Sequence, residues 1–320
     1  MEILQVLVDL APYSIAFFIC FFNIIGHFGN INLVVITIRT KHLQTKHGIL
    51  LSVVCTEHSL CLLGEFIQAI SGFIPFKISR KTCLAFMTPY ISINCCQSMM
   101  FLMISLDILI SILFPMKYAK FPTLKYCSIM SIIPTCFSFI VISFSWTNLS
   151  EEQIFLCNPP LALGENGTRV WGGGVLIINI TTLIIYGYIY CRIYCNQKSL
   201  KFVYKYRLFS LFFPENSMKN SAEKRVMKSL SILVIVFCCS WVICMGSVFF
   251  VNFITENQLI IILVQSYVVL FALIAFSQTF YVCYFRSKMY RREFQNQMPC
   301  FKKQQIPRLE MFTASKTCVI

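Results

Sequence analysis

Glu57, Glu65 and Asp107 are acids set inside long apolar runs, and residues of that type in that setting mark where this chain keeps its chemistry. An ionised side chain near mid-membrane costs roughly 2.5–3.5 kcal/mol on insertion scales, so acids retained there bind an ion, face a ligand or pair across helices. For Glu57 the competing expectation is a protonated carboxyl hydrogen-bonded within a bundle, and for Glu65 it is packing against lipid headgroups. Catalysis finds little support. The chain has no H-E-x-x-H, no G-x-S-x-G, no phosphate-binding loop and no paired-Asp motif, and its four histidines are His27, His42, His47 and His58. No C-x-x-C pair with a matching His/Cys partner set is present, so neither a zinc site nor any other cofactor is expected.

The elements that must position these residues follow from composition. Hydrophobic residues make up 57 % of 320 residues and charged ones 12 %, with 31 Phe and a mean hydropathy of +0.72, a balance no soluble core could hide from water. Apolar runs of about 20 residues or more, enough to span a bilayer at 1.5 Å per residue, lie near 13–38, 48–73, 83–115, 127–147, 171–195, 226–252 and 259–285. They are continuously apolar rather than alternating, which predicts an all-α membrane protein, a seven-transmembrane helix bundle rather than a barrel. Residues 1–12 then form a short N-terminus without a cleaved leader, 13–285 the bundle and 286–320 a tail. In the tail Phe285, Met289, Phe294 and Met298 recur at helical spacing with Lys288, Arg291 and Arg292 between them, the pattern of a short amphipathic helix on the membrane surface; Cys300, just beyond, is a candidate for palmitoylation.

All but four of the 27 Lys and Arg fall in the connections after spans 1, 3 and 5, at span ends or in the tail; the exceptions are Lys77, Arg80, Lys81 and Arg169. The positive-inside bias makes the richer side cytoplasmic and the N-terminus extracellular, and the charge of +14 is a topology signal rather than a nucleic-acid footprint. On that topology Cys83 and Cys157 alone face the oxidising side and can form a disulfide, with two free thiols as the alternative. The same loop holds two glycosylation patterns, at Asn148 and, further from the membrane, at Asn166; a third, at Asn179, lies inside span 5 and is expected to stay unmodified.

Gly29-Asn30 in span 1, Cys83 and Asp107 at the two ends of span 3, Pro115 and Tyr118 beyond it, and Phe237 one turn before Trp241 in span 6 resemble the rhodopsin-like seven-helix G-protein-coupled receptors. The stretches Glu57–Glu65, Cys157–Ala162 and Arg286–Arg291 resemble, more narrowly, nematode serpentine chemoreceptors of class sx. The resemblance implies a plasma-membrane receptor whose partners are a small-molecule ligand, a heterotrimeric G protein and the lipid bilayer. It places Glu57 where the family has a sodium-binding Asp, with Asn30, Ser105 and Gln97 as neighbours, and it places G-protein coupling at Asp107, Ile108, Pro115 and Tyr118. Departures are equally plain: Ile108 stands where the family has Arg, Ile243 where it has Pro, and Thr279-Phe280-Tyr281 replaces the span 7 Asn-Pro pattern, leaving Tyr281 or Tyr284 as its tyrosine. Without that Arg, Asp107 is expected to seek Lys120, Lys125 or Arg225.

Tyr90, seven residues after Cys83, stands where amine receptors of the family carry Asp, and span 7 holds no Lys for retinal. Glu65, Gln68, Tyr90, Asn94, Asn179, Trp241 and Gln265 remain among many Phe, Ile and Met, which suits a small, largely neutral ligand, although a polar residue of this kind, taken singly, more often makes an interhelical hydrogen bond than a ligand contact. A seven-helix ligand-gated channel or transporter is the alternative. No inverted repeat or re-entrant filter pattern favours it.

Overall fold

A segment surrounded by lipid must satisfy its backbone hydrogen bonds internally, and the long apolar runs do so as helices. The structure, a computed structural model, describes residues 2–72, 78–147, 149, 151–154, 157–205, 217–255 and 257–297. Its helices are α1 (Glu2–Arg39), α2 (Lys46–Gly72), α3 (Arg80–Leu113), α4 (Pro115–Lys120), α5 (Thr123–Thr147), α6 (Pro159–Lys205), α7 (Ser217–Ile254), α8 (Gln258–Tyr267), α9 (Val269–Arg286) and α10 (Lys288–Gln297). Six of them, α1, α2, α3, α5, α6 and α9, carry apolar stretches long enough to cross a membrane, and α7 adds the shorter apolar stretch Ile232–Val248. The seventh expected span is therefore two helices, α8 and α9, meeting at Val268.

α3 is the axis of the bundle. It packs on α2, α5 and α6, while α1 lies on α2 and α9, and α7 closes between α6 and α9. Close approach depends on small residues: a Cβ on Gly29 would stand 2.7 Å from Cβ of Phe280, so α1 and α9 meet at a distance that only glycine permits. The outward faces are apolar, with Phe17, Ile24, Leu124, Phe139, Ile177 and Ile184 exposed. Such a surface belongs in lipid.

Two boundaries differ from expectation. α1 begins at Glu2 instead of near residue 13, because residues 2–11 are mostly strong helix formers and Pro12 is carried within the helix. α6 starts at Pro159, and Gly164, at φ +69°, sets a short first turn off from the long helix that follows.

At one end of the bundle β1 (Ile78–Ser79) pairs antiparallel with β2 (Gln153–Ile154), register Ile78↔Ile154. Ser79 caps α3 by accepting from the Thr82 N–H at 3.2 Å. Cys83 and Cys157 are joined, with Cα atoms 5.6 Å apart, so the loop between α5 and α6 is tied to the first turn of α3. The sparse cations of this end are matched: Arg80 pairs with Glu152 at 2.7 Å, Lys81 with Glu151 at 3.6 Å and Arg169 with Glu165 at 2.5 Å, while Lys77 lies outside the described residues. At the opposite, basic end α10 turns along the bundle and buries Tyr290 and Phe294, the latter 4.5 Å ring to ring from Phe280. The buried stripe thus runs through Tyr290 and Phe294 rather than Phe285, which is exposed; Met298 lies outside the described residues.

Candidate functional site

Tyr90, Asn94 and Gln97 follow one another along α3 at spacings of four and three residues, so they share one helix face. All three are buried. Tyr90 donates through its hydroxyl to the Glu65 carboxylate on α2, and Gly64 is what lets the ring lie there, since a Cβ would fall 2.2 Å from Tyr90 Cδ2. Glu65 is therefore an interior residue facing α3, not a headgroup contact. Below this pair the polar atoms lose their partners. Among the described residues both side-chain polar atoms of Asn94 and of Gln97 are buried without a hydrogen-bond partner, as are Oδ1 of Asn179 on α6, whose Nδ2 donates to the Val175 carbonyl at 2.9 Å, and the indole N–H of Trp241 on α7. Native interiors leave few such atoms unsatisfied, and each exception calls for a ligand, water or a functional cost.

The floor under this seam is aromatic. Phe101, one turn below Gln97, stacks on Phe237 of α7 at 3.7 Å; His58 of α2 lies 5.8–5.9 Å from Phe101, Phe237 and Phe276; and Trp241 rests 6.3 Å from Phe237 and 5.9 Å from Phe276. His58 also places Nδ1 3.3 Å from the Thr279 hydroxyl. Four helices thus meet on one stack of rings. A side chain or ligand that shifts Trp241 must move Phe237 with it, because the two are one turn apart on the same face of α7.

Of the remaining expected ligand contacts, Gln68 is half-buried on α2, and Gln265 lies on α8 with its side chain outside the described residues. Of the expected sodium ligands, Asn30 Oδ1, Glu57 Oε2 and Gln97 Oε1 are each buried with no hydrogen-bond partner among the described residues. Asn30 donates to the Phe276 carbonyl at 2.9 Å and Ser105 to the Leu102 carbonyl at 2.7 Å; Gln97 belongs to the seam above; and among the described residues none of these bonds to Glu57. Glu57 is half-buried as a residue, with its carboxyl Oε2 fully buried. His58, the next residue and about 100° further round the helix, is fully buried. Among the described residues no group of three or more His, Cys, Asp or Glu could hold a metal ion.

At the basic end Asp107 is buried and accepts from the Tyr118 hydroxyl at 2.9 Å, with His47 Nδ1 3.4 Å from its other oxygen. These partners replace the expected Lys120 and Lys125, which are exposed; the side chain of Arg225 lies outside the described residues. Pro115 starts α4, and so α4 brings Tyr118 back under α3. Burial first, and then the neighbouring Asp107, push the Tyr118 phenol well above its ordinary pKa, so it stays a donor. On its other side Lys46 donates to the Tyr118 carbonyl and sets its ammonium 4.0 Å from the Tyr118 ring and 5.2 Å from that of Tyr126. Ile108 is buried beside this cluster. Tyr281 donates to the Ile25 carbonyl of α1 at 3.0 Å, and Tyr284 packs against Phe280 and Phe294, so neither tyrosine enters the interior.

Sequence reasoning passed over three residues that the structure makes central: His58, His47 and Lys46. Each carries a polar group beside a face of buried apolar residues, which is the signal that could have found them. Asn166 is exposed at the disulfide end, whereas Asn148 and Cys300 lie outside the described residues. No curated protein matches the chain. The family model described as serpentine type 7TM GPCR chemoreceptor Srsx matches residues 23–298, running from the first helix through α10, and with a buried polar seam, an aromatic floor and a disulfide-tied loop on a seven-helix bundle, the chain belongs to that chemoreceptor family.

Proposed function

We propose that this protein is a plasma-membrane chemoreceptor, N-terminus outside, that binds a small and largely neutral molecule from the disulfide end and signals to a heterotrimeric G protein at the basic end. The observation that carries the reading is that Asn94, Gln97, Asn179 and Trp241 each bury a polar atom with no partner among the described residues, Asn94 and Gln97 on the α3 face that leads one turn on to Phe101 of the ring stack. Those atoms offer both donors and acceptors and no free charge, which suits a neutral ligand with a carbonyl or hydroxyl, while the surrounding rings supply apolar burial. Glu65 and Tyr90 satisfy each other at the upper edge of the seam and orient it. Residues 13–285 act as the receptor unit and the tail from 286 rests α10 on the inner leaflet, with Asp107, Ile108, Pro115 and Tyr118 forming the coupling surface.

The orientation is supported by the matched cations at the disulfide end and the many basic residues at the other. A screen of neutral volatile and water-soluble molecules in cells expressing the full chain, read by both calcium and cyclic nucleotide, tests the function. An agonist should emerge whose response falls at least tenfold in potency in Asn94→Ala and Gln97→Ala at matched surface expression. Unaltered potency in both variants would remove the seam as the binding site. In the same cells a glycosidase-sensitive mass shift lost in Asn166→Gln places that loop outside; cytoplasmic accessibility of the loop would reverse the topology and the reading with it.

A further inference from the structure

We propose that the crevice between α3, α4 and α5 binds an anionic phospholipid of the leaflet at the basic end, one acyl chain lying in the crevice and the phosphate on Lys117. The crevice has a volume of about 270 Å³ and is walled by Ile110, Tyr118, Phe121, Ile129 and Met130, with Lys117 as its one cationic lining residue. That is slightly below the roughly 300–1,000 Å³ of sites that enclose drug-sized molecules, and its walls are almost wholly apolar, so it suits a length of hydrocarbon better than a polar metabolite. Its surroundings say where the hydrocarbon comes from. Leu124, Ile129, Ile132 and Phe139 point outward from the same helix, so the crevice opens on the face that meets lipid.

Charge selects the headgroup. Lys117, Lys120 and Lys125 lie on α4 and the first turn of α5, and among the described residues none has a carboxylate partner. The Lys117 ammonium, 5.9 Å from the ring centroid of the exposed Phe114, sits at the rim, where a phosphate would lie if its chain filled the crevice. The back wall is Tyr118, the residue that donates to Asp107 and stacks on Lys46. A lipid in the crevice therefore buttresses the ring whose hydroxyl holds the α3 acid, which links leaflet composition to the basic end of the bundle. The proposal rests on the membrane placement of the helices and not on the ligand or the G protein.

The full chain in phosphatidylcholine nanodiscs, doped with a phosphatidylserine bearing a diazirine in its acyl chain or with the matching phosphatidylcholine probe, tests this by photolabelling and peptide mapping. The phosphatidylserine probe should label Phe121, Ile129 or Met130 several-fold more than Phe139 and Ile140, which face lipid on the same helix outside the crevice. Lys117→Gln should cut that labelling about fivefold, the effect of one basic residue near an anionic headgroup, and leave the phosphatidylcholine probe unchanged. Ile129→Trp fills the crevice and should abolish labelling there by both probes; if it does not fold, Lys117→Gln, at an exposed position, still decides. Equal labelling of the crevice and of Phe139–Ile140, equal labelling by the two probes, or no effect of Lys117→Gln each means bulk lipid in a surface groove and overturns the proposal.

Discussion

Replacing Tyr118 by Phe removes one oxygen and tests whether the bond to Asp107 holds the resting arrangement of the basic end. In the structure the carboxylate is buried and takes a good hydrogen bond from Tyr118, at 2.9 Å, with a longer contact from His47, at 3.4 Å, and Tyr126 close enough to interact with it. A hydrogen bond to a charged group contributes about 1.5–3 kcal/mol, and His47 at its present distance offsets little of that loss. If the active packing has no such bond and is populated at about 1 % at rest, removing 1.5–3 kcal/mol from the resting state raises it to roughly 10–60 %. The expected outcome is ligand-independent signalling, read by cyclic nucleotide or calcium at matched surface expression, together with a lower melting temperature of the purified receptor. Lys46→Gln, which takes the cation away from the opposite face of the Tyr118 ring, should move both readouts in the same direction by less, since a cation–π contact contributes about 0.5–2 kcal/mol. A drop in melting temperature with unchanged basal output would show that the bond survives in both packings and does not restrain activation. Unchanged values of both would show that Tyr118 does not restrain Asp107 at all.

Three further outcomes follow from positions already described. Cys157→Ser frees the loop that the disulfide ties to α3, so surface expression and agonist response should both fall and the cross-linked peptide should vanish from a non-reducing map; alkylation of both thiols in the native surface protein would contradict the pairing. Ile108→Arg sets a guanidinium beside the buried Asp107, and agonist-driven signalling at matched surface expression should rise; a clear wild-type response left unaltered would show that this position does not limit coupling. Cys300→Ser should abolish labelling by a palmitate analogue, and equal labelling of wild type and variant would reject that thiol as the acceptor.

The membrane helices are legible in the sequence because the bilayer filters so hard. Charge cannot be hidden in lipid, so the seven apolar runs and the lopsided lysines and arginines report the spans directly. What the runs do not report is where a helix stops once it leaves the apolar layer. Residues 2–11 and 159–170 are helical although they lie beyond the expected spans, because hydropathy records the lipid boundary while local propensity and capping set the helix end. Val268 divides the last span for reasons the apolar pattern does not contain.

Inside the bundle the question changes from depth to rotation, and on α2 the sequence did not separate Glu57 from its neighbour His58. The family resemblance singled out Glu57, as the acid standing where the family has a sodium-binding Asp. Rotation adds His58. Leu50, Leu51, Val54, Cys55, His58, Cys61, Leu62 and Glu65 are all buried and trace one face of a helix, and Glu57, four residues before Cys61, lies at the edge of that face with its Oε2 buried. The same phase sets Glu57 at the edge of the buried face and brings His58 and Glu65, seven residues apart, onto a single inward line, one on the ring stack and the other on Tyr90. That line was present in the sequence, but a span that is apolar all round gives the phase almost no contrast, because lipid-facing and core-facing positions are filled by the same residue types. Contrast returns only where polar residues recur at helical spacing. Tyr90, Asn94 and Gln97 do so on α3, and their shared face was therefore readable in advance. The partnership of Asp107 with Tyr118 and His47 was not, since it joins the start of α2 to a turn that exists only because Pro115 reverses the chain under α3. Contacts made within one helix can be counted along a chain; contacts made where three helix ends converge depend on the packed bundle, and it is at such a convergence that this receptor keeps the acid whose neighbouring arginine it lacks.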